Sequence, residues 1–208
     1  MRGKKVVILT GAGISAESGV KTFRDNDGLW ENHRVEDVAT PEAWNADPKL
    51  VWRFYQARRR QMKEVEPNPA HKALAKLEAE IDDFTLITQN VDDLHERGGS
   101  EVVIHMHGRL QTLRCEKSKQ IELRMSEPDL LDGYVYCNCC AQPSRMRPDI
   151  VWFGEMPMRM EDIYSSVESC DIFIVVGSSG HVYPAAGMVH VARLFGAHTI
   201  LVNYEMPA

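Results

Sequence analysis

No apolar stretch in this 208-residue sequence approaches the ~20 residues that a bilayer-spanning helix requires. No sustained run of lysine and arginine occurs either. With 24 basic against 30 acidic side chains and a net charge of -6, the chain is poorly suited to nucleic acid, whose phosphates must be neutralised. Membranes and nucleic acids are therefore not expected partners. The first residues are not expected to be a secretory leader either. Met1-Arg2-Gly3-Lys4-Lys5 is basic, but the apolar run Val6-Val7-Ile8-Leu9 is too short for a signal core and reads as a first buried strand. The expected address is the cytoplasm. Internal repeats and low-complexity tracts are absent. A composition of 44% hydrophobic and 26% charged residues suits one buried core with a small appendage.

Cysteine is scarce but clustered. Cys115, Cys137, Cys139 and Cys140 lie within 26 residues, and Cys170 stands apart. In a cytosolic chain such a cluster points to metal before disulfides. The pair of Cys-x-x-Cys knuckles that marks zinc is incomplete. Cys137-Asn138-Cys139-Cys140 supplies one, but Ser118 stands where the first should close after Cys115. One reading is a metal-binding ribbon, or its degenerate remnant, with Cys115, Cys137 and Cys140 as ligands. The other is a surface lobe of free thiols. Cys139 could be a fourth ligand, but adjacent cysteines rarely both reach one ion, so any zinc is expected to be weak or partial and structural.

Lys5–Thr10 is a β-branched apolar run that ends in Gly11-Ala12-Gly13, with a helix start at Ser15–Ser18. Strand, glycine turn and helix follow in order. Phe84–Thr88, Asp171–Val176 and Thr199–Asn203 are further short apolar runs. Continuous rather than alternating runs suit a parallel sheet covered on both faces. Helical patterns over Pro48–Val65, His71–Glu80 and Ala185–Phe195 sit between them. The expected fold class is α/β, a doubly wound, Rossmann-like parallel sheet. Residues 112–148 break the rhythm and read as a small inserted zinc-ribbon-like lobe, within a domain of residues 1–111 and 149–208. The sequence stops soon after a strand, with no covering helix, and is expected to be truncated there.

Glycines after a first strand let backbone approach a pyrophosphate at a helix N-terminus. Position 16 is Ala16, so the third glycine of the dehydrogenase fingerprint is missing. Neither does a second strand end in an acidic residue about 20 residues on; Asp25 and Asp27 fall in a loop. An NAD-dependent oxidoreductase is disfavoured accordingly. His105 and His107, two apart at a strand end, share one face only if both point inward. By periodicity alone Tyr55 and Arg58 belong to a helix face with its arginines in solvent.

The run Gly11-Ala12-Gly13-Ile14-Ser15-Ala16-Glu17-Ser18-Gly19-Val20, then Thr22-Phe23-Arg24 and Gly28-Leu29-Trp30, resembles the first cofactor motif of the sirtuins. Thr88-Gln89-Asn90-Val91-Asp92, His107-Gly108, Val151-Trp152-Phe153-Gly154-Glu155 and Gly177-Ser178-Ser179 follow in that family's order. The resemblance runs from Val6 to Glu205. Tyr55-Gln56-Ala57-Arg58 fits the Tyr-x-x-Arg motif of class III sirtuins, which accept acidic acyl groups. The wider wording, including His33 to Pro41 and Gly180 to Gly187, is similar to the bacterial CobB-type branch.

The resemblance implies NAD-dependent removal of acetyl and succinyl groups from protein lysines, with nicotinamide, free lysine and O-acyl-ADP-ribose as products. A catalytically impaired module that binds NAD and acyl-peptide is the alternative. It implies that His107 is the general base, suited to the task because imidazole titrates near neutrality. NAD would meet Gly11, Ala12, Gly13, Ser15, Glu17, Thr22, Phe23, Arg24 and Trp30, with Phe23 shielding the reactive intermediate. Gln89, Asn90, Val91 and Asp92 would form a polar, water-poor nicotinamide pocket. Gly177, Ser178, Ser179, Asn203, Tyr204 and Glu205 would meet ribose and phosphate. Val151, Phe153, Gly154 and Glu155 would bind the acyl-lysine substrate. Ala39, Tyr55 and Arg58 would select the acyl group.

Overall fold

A computed structural model describes residues 3–20, 29–30, 33–123, 135–180 and 183–204. In chain order its elements are β1 (Lys5–Thr10), α1 (Gly13–Ala16), β2 (Leu29–Trp30), β3 (His33–Arg34), α2 (Val35–Val38), α3 (Pro41–Ala46), α4 (Pro48–Met62) and α5 (Pro69–Glu80). They continue with β4 (Asp83–Thr88), α6 (Leu94–Arg97), β5 (Val103–His105), β6 (Gly108–Cys115), β7 (Ile121–Leu123) and β8 (Met146–Ile150). The last are α7 (Met160–Glu168), β9 (Ile172–Val176), a 3-10 turn at Ala185–Gly187, α8 (Met188–Leu194) and β10 (His198–Val202).

Five strands form one parallel sheet in the order β10-β9-β1-β4-β5. In β1 alternate side chains serve opposite faces, which is why a continuous apolar run was needed. Val7 and Leu9 join Ile163, Val167, Met188 and Ala192 of α7 and α8. Val6 and Ile8 join Ile14 of α1 and Leu74 of α5. The doubly wound arrangement follows. Because β4 and β9 flank β1 on opposite sides, the crossovers diverge at the C-terminal end of β1, where such sheets open a crevice.

A second, antiparallel sheet has the order β7-β6-β8. It begins at Gly108, and its core is larger than segment 112–148. Val38, Trp44, Val51, Trp52 and Tyr55 from α2–α4 pack with Leu113, Cys115, Cys137, Met146 and Trp152. Thus α4, which strand–helix alternation assigns to the parallel sheet, covers the lobe instead. Its start is fixed locally: Pro48 takes the first turn and the Asp47 carboxylate accepts the Leu50 amide at 3.0 Å, a common N-cap arrangement.

Candidate active site at the ends of the parallel strands

The loops after β1 and β9 touch backbone to backbone. Gly11 donates its amide to the Val176 carbonyl at 3.0 Å, and Gly13 to that of Gly177 at 2.8 Å. Gly177 has φ +63, and a Cβ there would lie 2.3 Å from the Ile14 nitrogen. The glycines are required first for this loop-on-loop contact, and the Gly11 and Gly13 amides are spent on it. Ala12, Gly13 and Glu17 remain exposed at the crevice.

Beneath them lies a buried polar network. The Ser15 hydroxyl donates to Asp92 Oδ2 at 3.0 Å and accepts from Asn90 Nδ2 at 3.0 Å. Asp92 Oδ1 accepts the Leu94 amide at 3.1 Å, and burial raises the Asp92 pKa. His71 Nε2 stands 3.4 Å from the Ser15 hydroxyl; its Nδ1 accepts the Asn68 amide in a capping box for α5. His95 Nε2 lies 2.9 Å from the Thr10 hydroxyl. Above the network, Gln89 Nε2 donates to the Ser178 hydroxyl at 2.9 Å, while Asn203 Nδ2 donates to the Ser178 carbonyl at 2.9 Å. Residues from three separate motifs are thereby brought together. Ser179 sits beside them half-buried, Val91 accepts the Leu110 amide at 2.9 Å, and Tyr204 is exposed.

His107 occupies the junction of the two sheets. Its Nδ1 is 3.0 Å from the Gln89 carbonyl, and its own carbonyl accepts the Val151 amide at 2.9 Å. A carbonyl only accepts, so Nδ1 carries the hydrogen and the neutral ring keeps its lone pair on Nε2. Burial lowers the His107 pKa, opposed by the Gln89 bond. Gly108 makes the next turn possible: its φ is +83, and a Cβ would fall 1.9 Å from the Asp149 carbonyl oxygen. His105 faces the other way, with Nδ1 3.1 Å from the Asn90 carbonyl and Nε2 2.9 Å from Glu96, which also pairs with Arg109. It braces the loop that bears Asn90.

The segment after β8 runs along the crevice. Phe153 donates its amide to the buried Ala39's carbonyl at 3.0 Å, and Val151, Phe153 and Gly154 are at least partly exposed. Glu155, expected at the substrate, also has partners within the protein. Its carboxylate takes both Arg147 nitrogens at 2.7 and 2.9 Å, plus the Trp152 amide at 2.9 Å. Although burial opposes ionisation, these donors together lower its pKa. Glu155 therefore shapes the loop.

Tyr55 and Arg58 turn inward from α4. Tyr55 is fully enclosed and its hydroxyl accepts the Trp152 indole N–H at 2.9 Å; burial raises its pKa. The Arg58 guanidinium lies 5.2 Å from the Phe54 ring centre, and burial lowers its pKa to about 10. The solvent-facing alternative is thus corrected, since α4 presents this edge to the second core. Thr22, Phe23, Arg24 and Glu205 lie outside the described residues; Trp30 pairs its backbone with His33.

In the lobe, sequence reasoning left the ligand set one short. Cys139 joins Cys115, Cys137 and Cys140, and the four sulfurs lie within 4.8 Å of one another. Cys115–Cys140 and Cys139–Cys140 are separated by 3.8 and 3.9 Å. Tetrahedral zinc with ~2.3 Å bonds to sulfur requires edges of roughly 3.8 Å, so the cluster fits that ion, and adjacency does not stop Cys139 and Cys140 from sharing it. Ser118, where a cysteine was missed, supplies hydrogen bonds: its hydroxyl and amide lower the Cys115 thiol to about 5, and the Ser144 amide lowers that of Cys137. Thiolate is the ligating form. The signal available in sequence was the cysteine count itself. Trp152 and Arg147 were also missed as supports of the acyl-side residues.

The Sir2 family profile matches residues 11–184. An NAD-dependent protein deacylase of Vibrio vulnificus (strain YJ016) is 57% identical over 99% of this chain and 84% of its own. One from Escherichia coli O6:H1 is 56% identical over 99% and 75%. Among solved structures, a Sir2 homologue–NAD complex superposes with a TM-score of 0.86 at 41% identity, over 98% of this chain and 79% of the other. On these matches and this architecture, the chain belongs to the Sir2 family, the sirtuins.

Proposed function

We propose that the protein is an NAD-dependent protein-lysine deacylase that releases nicotinamide and free lysine and carries the acyl group away on ADP-ribose. The observation that carries this reading is His107, whose Nδ1 is committed to the Gln89 carbonyl at 3.0 Å, so that Nε2 is the basic nitrogen. The deacylase names of the relatives support it, as does a Sir2 structure described as holding a deacetylated p53 peptide and an O-acetyl ADP-ribose. NAD would supply the sugar carbon that receives the acyl oxygen, with nicotinamide as leaving group.

The chain's own residues perform the rest. Asn90 and Asp92, held by Ser15, present fixed polar groups to the nicotinamide side. The Gly11–Gly13 turn, Gln89, Ser178, Ser179 and Asn203 fit the remainder of NAD, because their polar atoms converge at the strand ends where dinucleotides bind. His107 Nε2 takes the proton of a ribose hydroxyl and so makes that oxygen nucleophilic. Tyr55 and Arg58, three apart on one edge of α4, bind the carboxylate of a succinyl group, the guanidinium by paired hydrogen bonds. Four cysteines gathered as for a metal ion rather than paired in disulfides suit work in the cytoplasm.

Nicotinamide release from NAD, dependent on an acylated peptide, tests the reaction. His107→Ala should lower turnover by about 10²–10⁴-fold, the range for a lost general base, with the fold retained. Near-wild-type turnover in that variant would refute the assignment, and NAD binding without release in the wild type would leave only a binding module. Arg58→Met should depress desuccinylation about tenfold or more and deacetylation much less.

A further inference from the structure

Trp152 sits between the substrate strip and the acyl-selecting edge of α4, yet the reaction gives it no part. It is 2% exposed and Tyr55 is 0% exposed. Its indole N–H donates to the Tyr55 hydroxyl at 2.9 Å. The indole is held from the other side as well. The Arg147 guanidinium stacks 3.3 Å from its ring centre, and Glu155 grips both Arg147, at 2.7 and 2.9 Å, and the Trp152 amide, at 2.9 Å. A connected path, Glu155 to Arg147 to Trp152 to Tyr55, thus runs from the exposed Phe153–Gly154 segment to the helix that carries Arg58.

A phenolic hydrogen prefers the ring plane and has two orientations there, one on each side of the oxygen. Indole nitrogen can only donate. A donor fixed on one side therefore directs the Tyr55 hydrogen to the other and makes the phenol a donor toward whatever acceptor comes next. We propose that Trp152 is a positioning residue for acyl choice: it sets the Tyr55 hydroxyl as a hydrogen-bond donor to an acyl carboxylate, and Arg147 and Glu155 hold the indole for that purpose. This rests on the reading of Tyr55 and Arg58 as the acidic-acyl pair. An acetyl group lacks the carboxylate and gains nothing from the arrangement.

The test uses the whole chain with succinyl- and acetyl-lysine versions of one peptide at saturating NAD. Trp152→Phe keeps a ring for Arg147 and deletes the N–H; Tyr55→Phe deletes the acceptor. Each should raise KM for the succinyl peptide, Trp152→Phe about fivefold to tenfold, as loss of one buried hydrogen bond predicts, and Trp152→Phe should leave acetyl kcat/KM within about twofold. The double variant should be no worse than Tyr55→Phe alone, because Trp152 acts only through the phenol. Parallel losses on both peptides, or additive losses in the double variant, would overturn the proposal. If Trp152→Phe fails to fold, Arg147→Lys, which keeps the charge but loosens the hold on the indole, carries the substrate comparison and should show the same selective rise in succinyl KM. Arg58→Met separates the two levels. Selective loss there with no selectivity in Trp152→Phe overturns this inference alone; parallel loss there, or a wild type that never desuccinylates, overturns the acidic-acyl reading and this inference with it.

Discussion

Lowering the pH from 7 to 5 should destabilise the protein through histidines that the fold keeps neutral, and His95 is the sharpest case. It is 1% exposed, its Nε2 faces the Thr10 hydroxyl at 2.9 Å, and the His71 ring packs edge-on at 5.0 Å. Burial, then the charges of His71 and His105, lower its pKa from 6.5 to about 3. Between those two values the unfolded chain binds a proton that the folded chain refuses. Stability is therefore lost as pH falls below 6.5, by about 1.4 kcal/mol per pH unit, or about 2 kcal/mol by pH 5. His71, lowered by burial to about 4, acts in the same sense. Asp92 and Asp149 act in the opposite sense, since burial raises their pKa values and the folded state takes up protons first. The total change is thus a balance, and the informative quantity is a difference. Urea unfolding of wild type and His95→Gln between pH 6 and pH 5 should give a wild-type slope steeper by about 1.4 kcal/mol per pH unit. The amide of the substituted side chain can still donate to Thr10 but cannot titrate. Parallel slopes would show that His95 titrates alike in both states, and the neutral-histidine reasoning would be wrong.

Two further predictions concern the lobe and its junction. Cys139→Ser should abolish stoichiometric zinc retention after dialysis while Cys170→Ser leaves it intact; unchanged zinc in Cys139→Ser would mean that three sulfurs suffice. Gly108→Ala, which puts a Cβ 1.9 Å from the Asp149 carbonyl at φ +83, should cost about 3 kcal/mol and lower Tm by about 10 °C. A Tm drop smaller than about 2 °C would show that the two sheets can part without penalty.

The sequence alone made the parallel sheet legible, because strands buried on both faces must be apolar throughout, and Val6-Val7-Ile8-Leu9 carries that demand in four consecutive residues. It also determined where the chemistry lies, since the glycine turn, the Gln89–Asp92 segment and the Gly177 turn each follow an apolar run and so fall at the same end of parallel strands. What it could not determine is who touches whom across long separations. Only the tertiary structure placed α4 on the second core, turned Tyr55 and Arg58 inward, paired Glu155 with Arg147, and brought Cys139 into the sulfur cluster. Helical periodicity specifies that a face is buried but not against which partner. A carboxylate or thiol reads the same in sequence whether it meets solvent, a guanidinium or a metal. Those assignments depend on desolvation and on distances of a few ångströms between segments far apart in the chain, such as the 97 positions that separate Tyr55 from Trp152, and they exist only once the two sheets have packed.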